Sequence, residues 1–196
     1  MGSYRWYTEN QQDNSGKNNT LICWSKLAYI LSKILKQLDK INQMATEFLT
    51  TTPDCEIVSS RIIKSQRELV YRAWSDANHL KNWWGPAGFT NTFTEFDFRV
   101  GGKWSFIMRG PEKGNYANEC EFIKIEKPCI IAWKRYSKPI FQVVATFEEV
   151  SEEDTKIVFK MLFASTVECR KIKPFVVDKN EENFDRLENE LAKMIL

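Results

Sequence analysis

Glu95 and Asp97 alternate with Phe96 and Phe98, a spacing that puts both carboxylates on one face of a strand, roughly 6.5 to 7 Å apart. Inside a cavity, burial and mutual repulsion would raise one pKa and leave a general acid beside a base, as a small cyclase or hydrolase requires. Facing water, the same pair is solvated and the opposite face buries Phe96 and Phe98; the hydrophobic patterning favours this arrangement. Arg99 stands two residues on, ready to neutralise Asp97. His79 is the only histidine, and no serine or cysteine constellation is identifiable around it, so a rim position is expected. The five cysteines (Cys23, Cys55, Cys120, Cys129, Cys169) are odd in number and form no CxxC pair. Neither a zinc site nor a disulfide framework is expected, and Cys120 and Cys129 read as small apolar residues on strands. Gly101-Gly102 precedes the strand-like Lys103-Trp104-Ser105-Phe106, so it reads as a hairpin turn and not as a phosphate loop, which needs a helix next. No cofactor motif is present.

With no strong catalytic cluster, Trp83-Trp84-Gly85-Pro86-Ala87-Gly88-Phe89 becomes the most informative stretch. Pro86 cannot continue a helix and Gly85 tolerates a left-handed exit. The turn therefore sets two indoles at the mouth of the aromatic-rich strands that follow, a way to build a container for an apolar molecule. The candidate ligand-binding residues are Trp83, Trp84, Phe89, Glu95, Trp104, Phe106 and Trp133, with plain core packing as the competing role for the indoles.

The elements that must hold these residues are legible in the pattern. Residues 1–20, rich in Asn, Gln, Ser and Gly, read as a disordered tail. Over residues 21–49, Trp24, Leu27, Leu31, Ile34, Leu38, Ile41, Ala45 and Phe48 keep alternate spacings of three and four, the seam of an amphipathic helix. That helix packs on a partner, on a membrane surface, on a second copy or on its own domain, or is an extension of little consequence. Thr50 to Asp54 is a Pro-stopped linker, and residues 55–196 form the domain proper. Glu56 to Ile63 reads as a strand. Ser65-Gln66-Arg67-Glu68 reads as a capping box opening a helix, and Asp76 as the cap of a second, Ala77 to Trp84. Strands are expected over Thr90–Arg99, Lys103–Arg109, Tyr116–Ile125, Cys129–Arg135, Ile140–Val150 and Thr155–Phe163. A short turn capped by Ser165 ends at Pro174, and a capping box at Asp178 opens the final helix. The order implies an α+β fold in which an antiparallel meander covers its apolar face with the C-terminal helix.

The chain has 196 residues, 43% of them hydrophobic, and a formal net charge of +2. That suits one domain plus an extension, and it lacks the basic stripe of a nucleic-acid binder. No secretory signal opens it and no stretch reaches the ~18 apolar residues of a membrane span. A cytoplasmic protein is expected.

The chain resembles the START-like (SRPBCC) superfamily with the helix-grip fold, and within it the relatives of the C-terminal domain of the activator of the ninety-kilodalton heat-shock protein ATPase. The resemblance rests on Arg67 to Trp74, on Asp76 through His79-Leu80, and on Trp83-Trp84-Gly85-Pro86 with Gly88-Phe89-Thr90. It continues through Glu95 to Arg99, Gly101 to Trp104, Met108 to Pro111, and Phe184-Asp185-Arg186-Leu187. It implies a curved antiparallel sheet around a long C-terminal helix, and a hydrophobic ligand held between them. It also implies a chaperone-associated, stress-response interaction module as the alternative. Lys179-Asn180 stands where relatives often carry Gly-Trp, which implies a wider or more polar cavity end. The separate N-terminal domain of the chaperone activators is replaced by a short helical extension.

Overall fold

The computed structural model describes residues 29–36, 53–112 and 114–195. The chain divides into two compact units, Met1–Met44 and Ala45–Leu196. In the first, residues 29–36 form a helix (α1). The expected tail over 1–20 lies outside the described residues, as does the rest of the expected helical extension.

The second unit is built on alternation. β1 (Glu56–Ile63) leads into two short helices, α2 (Arg67–Ser75) and α3 (Ala77–Trp83). Six strands follow: β2 (Thr90–Phe96), β3 (Lys103–Arg109), β4 (Asn115–Glu126), β5 (Ile130–Arg135), β6 (Phe141–Glu149) and β7 (Thr155–Phe163). The long helix α4 (Thr166–Met194) ends the fold. The strands form one antiparallel seven-stranded sheet in the order β1-β7-β6-β5-β4-β3-β2. Everything after β2 is a meander, and β1 closes the far edge against β7. One sheet face is apolar: Trp104 and Phe106 on β3, Trp133 on β5, Val143, Ala145 and Phe147 on β6, and Ile157, Phe159 and Met161 on β7. α4 covers that face with Cys169, Phe184, Leu187 and Leu191 buried and Ile172 and Val176 partly so, at spacings of three, four or multiples of them. This is the expected α+β helix-grip arrangement.

Several local expectations need correction. The first capping box does not form: Gln66 is the N-cap of α2 and makes no side-chain cap bond. Leu69 and Val70 N–H groups both donate to the Gln66 carbonyl, so the helix starts one residue after Ser65 could serve. β2 stops at Phe96, because Asp97 to Gly102 turns sharply: Arg99 N–H donates to the Asp97 carbonyl and Gly102 N–H to that of Arg99. Cys129 is exposed in the turn before β5 and not on the strand. The largest difference is α4. Ser165 accepts from Glu168 N–H as its N-cap, and the helix then runs unbroken through Pro174, so no new helix opens at Asp178. The missing N–H of Pro174 would have met the carbonyl of Arg170; both residues are exposed, on the solvent side of the helix.

Candidate functional site

Asp76 accepts from Asn78 N–H at 2.8 Å and starts α3 as expected. The helix exits through Trp84, which is extended, and Gly85, whose φ of 96° is left-handed. A side chain at Gly85 would also press on Met108, whose Cε would stand 3.0 Å from its Cβ. This turn is tied to α4. Arg186 donates to the carbonyls of Gly85 (2.6 Å), Pro86 (2.8 Å) and Asn82 (2.8 Å), while Glu182 accepts from Ala87 N–H at 3.0 Å. A guanidinium at the end of α3 meets the carbonyls that the helix leaves unpaired.

The turn gives the two indoles different surroundings, although their rings still meet edge-on at 5.7 Å. Trp83 is 1% exposed, and its Nε1–H donates to the Ala73 carbonyl at 3.0 Å. Its ring meets Trp74 edge-on at 4.8 Å, so it is a core residue. Trp84 turns instead toward the sheet, with its ring centroid 5.6 Å from Trp133, 5.4 Å from Trp104 and 6.1 Å from Phe159. Beside it lies a cavity of about 410 Å³. The strands contribute Phe106, Met108, Trp133, Phe141, Val143, Phe159 and Met161 to its walls; α4 contributes Ile172, Phe175 and Val176; Phe89 closes the α3 turn. That volume lies within the ~300–1,000 Å³ of small-molecule sites. A second hollow, about 830 Å³, lies at the surface between Lys64 to Gln66 and Ser151 to Asp154; its lining residues are polar or charged apart from Leu69 and Ile195, and none is aromatic.

Of the seven candidate residues, Trp84, Phe89, Phe106 and Trp133 line the cavity together. Trp83 and Trp104 do not. Trp104 is 1% exposed and sits behind the wall, stacked on Phe106 at 4.7 Å. Glu95 is a correction: it is exposed on the outer face of β2, because a bulge between Phe93 and Glu95 resets the alternation. The bulge turns both Phe93 and Phe96 inward, stacked at 5.7 Å. Asp97 lies beyond the strand and pairs with Arg99 Nε at 2.7 Å, so the two carboxylates make no acid–base pair in the cavity.

Apart from Lys179-Asn180, the polar groups of the cavity were missed in the sequence. Asn118, Cys120 and Arg135 stand on the β4 and β5 wall, and Lys179, Asn180 and Asn183 on α4. Asn180 donates to Ser59 Oγ at 3.1 Å, and the Oδ1 of Asn183 is buried without a partner. Lys179-Asn180 thus makes one end of the cavity polar, as the departure from the Gly-Trp pattern implied. Burial pushes the Cys120 thiol up to about 12, so it stays protonated and unreactive. Desolvation lowers the Arg135 pKa below its ordinary value. A signal existed for Arg135: two residues after Trp133, it shares that residue's face of β5. His79 is no rim residue in isolation. Its Nδ1 lies 3.0 Å from Oε1 of Glu190, a carboxylate 5% exposed that also accepts from Asn82 at 3.0 Å. Among the described residues no His, Cys, Asp and Glu cluster is able to hold a metal ion, and no helix is long and apolar enough to cross a membrane.

The sequence profile of the family described as Activator of Hsp90 ATPase homolog 1-like protein matches residues 64–192, from the end of β1 to the last turn of α4. The chain belongs to this family. Solved structures share its fold. A protein from Nitrosomonas europaea superposes with a TM-score of 0.68 at 16% identity, covering 74% of this chain and 99% of its own. One from Arthrobacter aurescens gives 0.67 at 19%, over 74% and 90%. A Silicibacter pomeroyi protein that bears the family's abbreviation in its description gives 0.58 at 16%, over 71% and 99%. No curated protein matches the chain. The family profile spans all the elements that wall the cavity and leaves the first 63 residues unmatched.

Proposed function

We propose that the domain over residues 55–196 binds a small hydrophobic molecule in the cavity between its sheet and α4. The observation that carries this reading is the 410 Å³ cavity itself, walled by Trp84, Phe106, Trp133 and Met161 beside a core otherwise filled by rings. Affinity comes from apolar area removed from water, about 25 cal/mol per Å². Trp84, Phe89, Phe106 and Trp133 supply that area, and Trp83 and Trp104 hold the wall from behind. A native mass spectrum after gentle purification, with an indole-fluorescence titration by neutral and charged amphiphiles, tests it. A retained small molecule or saturable quenching is expected. A bare mass together with no response to any apolar compound would remove the reading.

A second reading has its own observation. On α1, Tyr29, Ile30, Leu31, Ile34 and Leu35 are all between 49% and 60% exposed. Apolar side chains in such a run serve contact with another chain, here a chaperone or a second copy. Light scattering and a pull-down, with and without residues 21–49, test it. Unchanged mass and unchanged partners on deletion would sink it.

A further inference from the structure

The cavity lining is electrostatically one-sided. It contains two cations, Arg135 and Lys179, and no aspartate or glutamate. Lys179 is already engaged by Glu182 at 2.6 Å. Arg135 is not engaged by any carboxylate among the described residues. Its Nε donates to Ser137 Oγ at 3.0 Å and its Nη1 reaches the Pro139 carbonyl only at 3.5 Å, leaving Nη2 with no hydrogen bond among the described residues. Phe141 lies under the guanidinium at 5.3 Å. Arg186, also desolvated, shows what a satisfied arginine looks like in this fold, with three carbonyls within 2.8 Å. A half-buried cation without a counter-charge costs stability. Such a group is maintained where its partner arrives from outside.

Its placement says what that partner is. Arg135 and Cys120 are cross-strand partners, as are Arg135 and Phe141, and Asn118 follows on the same face of β4. The guanidinium is therefore set into the β4–β5 wall, above the apolar surface made by Trp133, Val143 and Met161. Resting on the ligand-binding reading above, we propose that the ligand is an amphiphile with an apolar body and a single anionic head, of the carboxylate class. The body lies on Trp84, Trp133 and Met161, and the head accepts hydrogen bonds from the free Nη2 of Arg135. A planar guanidinium fork matches a carboxylate in two parallel hydrogen bonds. Two cations and no acidic residue in the lining disfavour a cationic head.

The test compares decanoate with decan-1-ol, which share the apolar chain and differ in the head. Both are titrated at neutral pH against the full chain and its Arg135→Met and Arg135→Lys variants. Indole fluorescence reads binding, and carbon NMR of carboxyl-labelled decanoate reads the ionisation of the head. The wild type should bind decanoate about tenfold or more tightly than decan-1-ol, the size of a charge-assisted bond. Bound decanoate should stay ionised to lower pH than the free acid. Arg135→Met should abolish both the preference and the ionisation shift while still binding decan-1-ol; Arg135→Lys should retain part of each. Thermal unfolding separates this from misfolding, since Arg135→Met removes an uncompensated charge and should melt no lower than the wild type. Equal affinity for the two ligands overturns the anionic head, and a preference that survives Arg135→Met overturns the role of Arg135; either leaves the apolar cavity standing. No binding of either compound overturns both.

Discussion

Trp83 and Trp84 are neighbours with opposite duties, and truncation should separate them. Trp83→Ala removes a fully buried indole and its bond to Ala73, so it should cost about 3–5 kcal/mol in urea denaturation. Trp84→Ala should cost less and should weaken amphiphile binding about tenfold, because its ring is part of the cavity wall. The motif was legible as a turn that fixes indoles, but not which indole faces what. That depends on the chain leaving α3 at Trp84, whose extended backbone swings its ring from the α2 side to the sheet. The water-facing side of Glu95 was the arrangement the patterning favoured, but the bulge beside it was illegible. Strict alternation must choose between Phe93 and Phe96, and the bulge lets both go inward and sends Glu95 out. Arg135 escaped notice because a charged residue after an aromatic strand reads as a strand end. Its spacing from Trp133 gave the face, and the β4 and β6 neighbours show that this face is the cavity wall.

At the scale of elements, α4 is held by charge as well as by its apolar stripe. Arg61 on β1 reaches Glu181 at 2.6 Å, Asp185 at 2.5 Å and Glu188 at 3.3 Å, with its side chain 23% exposed. Arg61→Ala should lower stability by about 1–3 kcal/mol, read by chemical denaturation, since three carboxylates lose one shared partner. The Glu190 contact ties α3 to α4. Burial alone would raise its pKa, but the hydrogen bonds from His79 and Asn82 outweigh it and hold the carboxyl below its ordinary value. A depressed carboxylate stabilises the fold above its unfolded pKa, near ~4.3, and loses that contribution as pH falls through the folded value. Stability should therefore drop below about pH 4.3, and Glu190→Gln should remove part of that dependence. The existence of α4 was legible from Phe184, Leu187 and Leu191. Its true start was not, because Pro174 signals a stop and only an exposed site lets a helix pass through it. Pro174→Ala should accordingly raise stability, by about 1–3 kcal/mol, in thermal denaturation.

For the whole molecule, the order of elements was readable because each has a clear period and the meander has short turns. Among the described residues the buried hydrophobic cluster runs from Ile57 to Leu191, all in the second unit. A chain beginning at Pro53 should therefore unfold cooperatively with a midpoint close to that of the full chain, measured by calorimetry. What the pattern could not give is the volume left between α4 and the sheet. That quantity is a small difference between the reach of many rings and the spacing of the layers. The proposed function rests on it. The most direct measurement is an indole N–H NMR titration of the full chain with decanoate, with the tryptophans assigned. Saturable shifts at Trp84 and Trp133, with Trp83 much less affected, are the expected result. No saturable shift, or shifts confined to indoles that do not line the cavity, would contradict it.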